Sequence, residues 1–204
     1  VGGRRSDTNS QSGDMTPPDN NNMTPPDNSN MQTPPDDTSD KQPVLLITGG
    51  KITVNADGDG LDSNGNLREE GGDITINGPS NGGNGAIDIG TENGGAGFIS
   101  GGTLIALGTS SMAENFGSTS TQCAFLVTMN SFGAGETITI TDSQGTVLYT
   151  GVTVKSANSV VFSSADLVVG ETYTVTIGSS SATVTQSSTV VGSTNGFGGG
   201  FGRH

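Results

Sequence analysis

Between Val44 and Thr121 apolar and polar residues alternate over short runs, and each run is broken by a glycine pair. Alternation with period two predicts strands that turn one face inward. The runs also repeat. Thr48-Gly-Gly-Lys-Ile-Thr-Val54 recurs as Glu70-Gly-Gly-Asp-Ile-Thr-Ile76 and again as Ser100-Gly-Gly-Thr-Leu-Ile-Ala106. Gly49, Gly71 and Gly101 are therefore 22 and 30 residues apart, and the first spacing is the length of one solenoid coil. A glycine pair lets the chain turn a corner at positive φ, and the strand after it can point alternate side chains into a narrow core. Same-register repetition favours stacked coils of a parallel β-helix over a run of hairpins.

From residue 122 to 191 the glycine pairs stop and the strands lengthen: Cys123-Ala-Phe-Leu-Val-Thr, Glu136-Thr-Ile-Thr-Ile-Thr, Thr146-Val-Leu-Tyr-Thr, Ser159-Val-Val-Phe-Ser and Glu171-Thr-Tyr-Thr-Val-Thr-Ile. The turn signal Asp142-Ser-Gln-Gly145 separates two of them. An antiparallel meander or small sandwich is expected here, capping the last coil and covering its open backbone edge. Cys123, in an apolar run, is expected to be a buried small hydrophobe.

The two ends lack core-forming residues. Residues 1–43 contain Val1 alone among Val, Ile, Leu and Phe, and they carry the repeat Met15-Thr-Pro-Pro-Asp-Asn-Asn-Asn, Met23-Thr-Pro-Pro-Asp-Asn-Ser-Asn, Met31-Gln-Thr-Pro-Pro-Asp-Asp. Paired prolines fix φ and remove donors, so this stretch reads as a hydrated, polyproline-like arm or linker. Residues 192–204 form a glycine-rich tail ending in Arg203-His204. The expected organisation is thus an arm over 1–43, coils over 44–121, a β cap over 122–191 and the tail.

Charge narrows the function. Twenty acidic and seven basic residues give a formal charge of −13, which repels phosphate backbones and excludes nucleic acid as a natural partner. No apolar run reaches the length of a membrane span. The start at Val1 suggests a processed product or a fragment. With one cysteine there is no internal disulfide.

The densest carboxylate group is Ala56-Asp-Gly-Asp-Gly-Leu-Asp-Ser-Asn-Gly-Asn66, containing Asp57, Asp59 and Asp62. Calcium takes six to eight oxygen ligands on a yielding backbone, and glycines 58 and 60 let side chains and carbonyls converge. A bound cation would also relieve the repulsion among three close aspartates. The helix-loop-helix calcium motif does not fit: counted from Asp57, its fifth position is Leu61, and no helical sequence flanks it. Gly83-Asn-Gly-Ala-Ile-Asp-Ile-Gly90 aligns with Asp59-Gly-Leu-Asp62, so stacking would set Asn84 and Asp88 one rung away, about 4.8 Å along the axis. Calcium is expected on this ladder, with Glu69 and Glu70 on the surface nearby.

Catalysis is not expected. His204, the single histidine, leaves no base for a serine or cysteine nucleophile. Zinc would need clustered Cys and His. A carboxylate pair for glycoside hydrolysis would need one raised pKa in an apolar cleft, which a chain without Trp does not advertise.

The runs Ile47-Thr-Gly-Gly-Lys-Ile-Thr-Val-Asn-Ala-Asp-Gly-Asp-Gly-Leu-Asp-Ser-Asn-Gly-Asn-Leu67, Gly71-Gly-Asp-Ile-Thr-Ile-Asn-Gly-Pro-Ser80, Asn84-Gly-Ala-Ile-Asp88 and Gly101-Gly-Thr-Leu-Ile-Ala106 resemble the C-terminal half of the secreted carbohydrate-binding β-helix proteins of clostridia and their relatives. The resemblance covers about residues 44–180, including Gly170-Glu-Thr-Tyr-Thr-Val. It implies a right-handed parallel β-helix with calcium at its turns, a cell-surface or secreted location, and affinity for acidic, pectin-like polysaccharide. Carried onto matching positions, Asp57, Asp59, Asp62, Asn84 and Asp88 would be the calcium-associated residues. Relatives have further coils upstream, so this chain looks like a C-terminal portion or a shortened form. Two functions follow as expectations. One is a non-catalytic, calcium-dependent binder of acidic polysaccharide. The other is a structural subunit whose open edge at Val44 to Val54 pairs with further copies in a calcium-stiffened fibre or pilus.

Overall fold

The computed structural model describes residues 42–192, all within Asp40–His204, the second of the two units into which the chain divides. The expectations for the Thr-Pro-Pro arm and for the glycine-rich tail fall, but for Gln42, Pro43 and Gly192, outside these residues. The described part is all-β. Its strands are β1 Val44–Asn55, β2 Leu61–Asp62, β3 Asn66–Asn77, β4 Ile87–Asp88, β5 Gly97–Gly108, β6 Ala124–Phe132, β7 Thr137–Thr141, β8 Val147–Val152, β9 Ala157–Ser163, β10 Thr172–Ile177, β11 Ser180–Thr185 and β12 Val190–Val191. Two single-turn 3-10 helices, Thr91–Asn93 and Ser110–Met112, interrupt the loops.

The repeated sequence becomes repeated geometry. β1, β3 and β5 lie side by side in parallel, with Ile52 beside Ile74 beside Leu104 and Val54 beside Ile76 beside Ala106. Each strand breaks step at its glycine pair, where Gly50, Gly72 and Gly102 take φ of 92, 121 and 89°. A side chain is barred at the last of these twice over: φ is positive, and a Cβ on Gly102 would lie 2.7 Å from the Gly72 carbonyl oxygen. The break also switches the alternation. Leu45 and Ile47 before it face the same interior as Ile52 and Val54 after it, together with Leu61 of β2 and Ile87 of β4. β2 and β4 form a second, short parallel pair across that interior. Each Leu or Ile sealed inside contributes roughly 1.5–3 kcal/mol.

The parallel order ends at β5. β9 runs antiparallel to β5, β6 antiparallel to β9, and β12 parallel to β6. The six-stranded sheet, in the order β1-β3-β5-β9-β6-β12, is therefore mixed and does not make a clear helix. The remaining long strands form a separate antiparallel sheet in the order β11-β10-β7-β8. The meander expected over 122–191 is thus divided, because β6 and β9 extend the sheet of the parallel strands. They do so since the apolar run Ser159-Val-Val-Phe-Ser is buried on both faces, as a central strand requires.

One sheet consequently separates two cores. Leu104 and Ala106 of β5 point to the interior just described, whereas Ile105 and Leu107 join Phe125, Phe162, Ile140, Tyr173 and Val175 on the other side. The rings of Phe125 and Phe162 are 5.7 Å apart and those of Phe125 and Tyr173 6.3 Å, a spacing at which aromatic pairs attract beyond simple burial.

Candidate functional site

The aspartate-rich corner follows from the parallel pairing. β2 and β4 bring Leu61 beside Ile87 and Asp62 beside Asp88. The apolar residue of each pair is buried and the acidic one faces outward, so two carboxylates from chain positions 26 residues apart stand on one rung-to-rung step. The approach is close because Gly60 and Gly85 carry no side chains; a Cβ on Gly60 would collide with the Ala86 carbonyl.

The five residues expected at the cation site part company here. Asp59 lies beside the Asp62–Asp88 step and accepts the Gly85 N–H on Oδ1 at 2.7 Å, tying the segment before β2 to the one before β4. Asp62 accepts the Asn64 N–H at 3.3 Å. Asn84 turns away and donates to Asn81 Oδ1 at 2.8 Å. Asp57 points to solvent and pairs with Lys155, whose ammonium also reaches the Ala56 carbonyl. That hydrogen bond, reinforced by the charge of Lys155, holds the Asp57 carboxyl below the usual range. Asp57 is thus neutralised by the protein itself.

Two further carboxylates, Glu92 and Glu114, join the cluster. Burial raises the Asp88 pKa, and the charges of Asp59, Asp62 and Glu92 raise it further. Glu114 is held in place by the Ile89 N–H at 2.7 Å and the Thr91 hydroxyl at 3.4 Å. Its pKa is raised mainly by burial, which outweighs the Ile89 hydrogen bond, with Asp88 and Glu92 adding to the rise. Glu92 and Glu114 come from separate loops, and the alignment of corners that pairs Asp62 with Asp88 was the signal that could have led to them. Among the described residues no three acidic, histidine or cysteine side chains converge tightly enough to hold a metal ion unaided. The corner offers a repelling group of carboxylates, and any cation there would need backbone carbonyls, waters or ligand oxygens to complete its shell.

On the side of Asp57 and Asn81 runs a shallow cleft of about 310 Å³ lined by Ser80, Thr109, Ser111, Ser131, Ser156 and Asn158. Its rim is pinned by the Ser80 hydroxyl on the Ser156 carbonyl, 2.9 Å, and by Asn81 Nδ2 on the Asp57 carbonyl, 2.7 Å. Hydroxyls and an amide, without a charged group, line it.

Glu69 corrects an expectation. It is not on the surface but fully buried, between Ile47 of β1 and Ile99 of β5 in the register of the sheet. Neither carboxyl oxygen has a hydrogen-bond partner, and burial lifts its pKa to about 8. It is held as the neutral acid at pH 7. Glu70 does face outward, paired with Arg68 at 2.9 Å, and Arg68 in turn covers the Phe98 ring. Cys123 sits half-buried one residue before β6, its thiol pKa raised by burial. That rise leaves it protonated and a poor nucleophile.

Comparison with protein-family models, with curated proteins and with solved structures returned no match.

Proposed function

We propose that this is a non-catalytic, extracellular calcium-dependent protein that binds acidic polysaccharide, and that residues 44–108 are short stacked turns of a right-handed parallel β-helix presenting the binding corner. The observation that carries the reading is the in-register pair Asp62–Asp88, where burial and then the charges of Asp59, Asp62 and Glu92 raise the Asp88 pKa. A divalent cation lowers the cost of that crowding. It can do so while leaving coordination positions for uronate carboxylates, which would otherwise be repelled by a chain of charge −13. The hydroxyl-lined cleft suits the neutral hydroxyls of the same polymer. The sequence resemblance points the same way. Asp59, Asp62 and Asp88 would hold the ion. Asp57, taken by Lys155, and Asn84, taken by Asn81, would contribute only after giving up those partners.

The test is calorimetric titration with calcium, followed by retention on polygalacturonate with and without chelator. Calcium binding that weakens at least tenfold in Asp62→Asn/Asp88→Asn, together with calcium-dependent retention, is expected. Retention that ignores both chelator and these substitutions would reject the proposal.

A second reading, a structural subunit assembled by β pairing, is favoured by one specific feature. β1 is the outer strand of the six-stranded sheet, bonded to β3 on one side alone, with Val44 and Leu46 about half exposed.

A further inference from the structure

β1 carries an unusual symmetry. Its sequence Val-Leu-Leu-Ile-Thr-Gly-Gly-Lys-Ile-Thr-Val-Asn reads with the same inward and outward pattern from either end about the Gly49–Gly50 bend. Leu45 and Ile47 mirror Val54 and Ile52; all four belong to the interior, yet only Ile47 is buried, so the core is incompletely covered at this end. The backbone follows the same symmetry. The Pro43 carbonyl accepts the Asn66 N–H and the Ala56 N–H donates to the Asn77 carbonyl. In a parallel pair both groups of a residue point to the same side, and successive residues alternate. Counting inward from these two ends, residues 45, 47, 52 and 54 bond to β3. Residues 44, 46, 51, 53 and 55 turn their N–H and C=O groups to the open side, whereas at the bend the Thr48 carbonyl turns toward Gly71 of β3.

We propose that this open side binds a second copy of the same strand, antiparallel, about a two-fold axis through the Gly49–Gly50 bend. In that register Val44 faces Asn55 of the second copy and Leu46 faces Thr53, so the outward-pointing backbone groups of both arms meet, while Thr48 and Lys51 lie opposite each other at the bend. Between them Leu45 faces Val54 and Ile47 faces Ile52, and the two interiors join end to end. Because the axis bisects the bend, the corner of one copy lies on the corner of the other, and neither strand has to straighten. A two-fold contact is self-complementary and closed.

Charge favours the same occupant. The chain has a net charge of −13, but Val44–Asn55 contains no acidic residue and one lysine, so this is a place where two copies can meet without setting carboxylates against each other. Lys51 and Asp73, 3.2 Å apart, already neutralise one another beside it. β1 has neither an inward charge nor a proline; the edge protections it carries are Lys51 and the break at the glycine pair, both confined to the bend.

The inference shares its edge with the second reading above and rests on that reading's β pairing, but it gives a closed pair where the fibre needs an open chain. It does not depend on calcium. Sedimentation equilibrium of the full chain across a concentration series, in chelator, should show a reversible monomer–dimer equilibrium. The double variant Leu46→Cys/Thr53→Cys in a Cys123→Ala background, treated with a short thiol-to-thiol crosslinker, should give covalent dimer at least tenfold more efficiently than either single cysteine. Each single cysteine faces a position seven residues from its own copy. Val44→Lys/Leu46→Lys, at exposed positions that leave folding intact by circular dichroism, should stay monomeric. Efficient crosslinking of Leu46→Cys alone would reveal a parallel pairing and overturn the two-fold arrangement. Monomer at every concentration in chelator would overturn the closed pair, and monomer in added calcium as well would overturn the second reading. Assemblies that keep growing would overturn the closed pair and leave the fibre standing.

Discussion

The two faces of the six-stranded sheet are built on opposite principles. On one face Phe125, Phe162, Tyr173 and their aliphatic neighbours fill a core with large rings, and the polar tip of the fully buried Tyr173 is satisfied by the Val168 N–H at 2.7 Å. On the other face Ile, Leu and Ala line a narrow interior, its corners are made by glycines, and it encloses one carboxyl with no partner. The first face draws stability from bulk and tolerates local error poorly. The second draws it from register, which lets the same corner recur and line up carboxylates from successive parallel strands. Function is proposed on the second face, where the packing is less generous and the charges accumulate.

The largest expected effect falls on the aromatic face. Phe162→Ala removes a ring that packs against both Phe125 and Tyr149 and should cost about 3–5 kcal/mol in denaturant unfolding. A loss below 1 kcal/mol would mean that the two cores are not as unequal as described.

Next comes Glu69. Its pKa of about 8 in the folded chain exceeds the 4.5 of a free glutamate, so the folded state holds the proton more tightly than the unfolded one. Stability is then fullest below pH 4.5 and falls as pH rises to about 8, after which this contribution is flat. Glu69→Met should remove that slope and gain on the order of 2–4 kcal/mol at pH 9. Unfolding curves of the two proteins that stay parallel from pH 5 to 9 would show that the carboxyl is not confined as described.

A smaller effect is expected at the corners. Gly102→Ala meets both the positive φ and the nearby Gly72 carbonyl and should cost about 1–3 kcal/mol, whereas Gly135→Ala, at a positive-φ turn with open space around it, should lose less. Equal losses would erase the distinction between a shared corner and an ordinary turn. Smallest is Asp88→Asn, which removes one repelling charge. In chelator it should raise stability by about 0.5–1 kcal/mol, measured as a shift in melting temperature, and reduce the stabilisation that added calcium confers.

Some of this was legible in the sequence because the same signal was written three times. The glycine pairs at 49, 71 and 101 announced both the corners and the parallel partners, and the in-register placement of Asp62 with Asp88 followed from aligning Gly83-Asn-Gly-Ala-Ile-Asp-Ile-Gly90 with Asp59-Gly-Leu-Asp62. The other residues of the corner were less visible, since Glu92 and Glu114 sit in loops without a repeated marker and reach the site only through the fold. Glu69 was misplaced for a different reason. Arg68, Glu69 and Glu70 look like a charged surface run, yet strict alternation from Leu67 assigns Glu69 the inward slot, and alternation prevailed over charge. β11, Ser180–Thr185, escaped notice because its Ser, Thr and Ala offer little apolar contrast, and it is held by backbone pairing with β10. The exchange of β6 and β9 into the first sheet had no local signal at all. It depends on which long apolar strand reaches the exposed side of β5, a contest settled only when the whole chain is assembled.

β5 has a consequence for how the molecule comes apart. Its odd and even side chains are committed to different neighbours, Leu104 and Ala106 to one group and Ile105 and Leu107 to the other. β6 and β9 divide their side chains the same way, Leu126 and Val161 to one core and Phe125, Val160 and Phe162 to the other, so heat or force applied to either half is transmitted through these shared strands, and calorimetry should record one melting peak. Two halves so joined have a common fate.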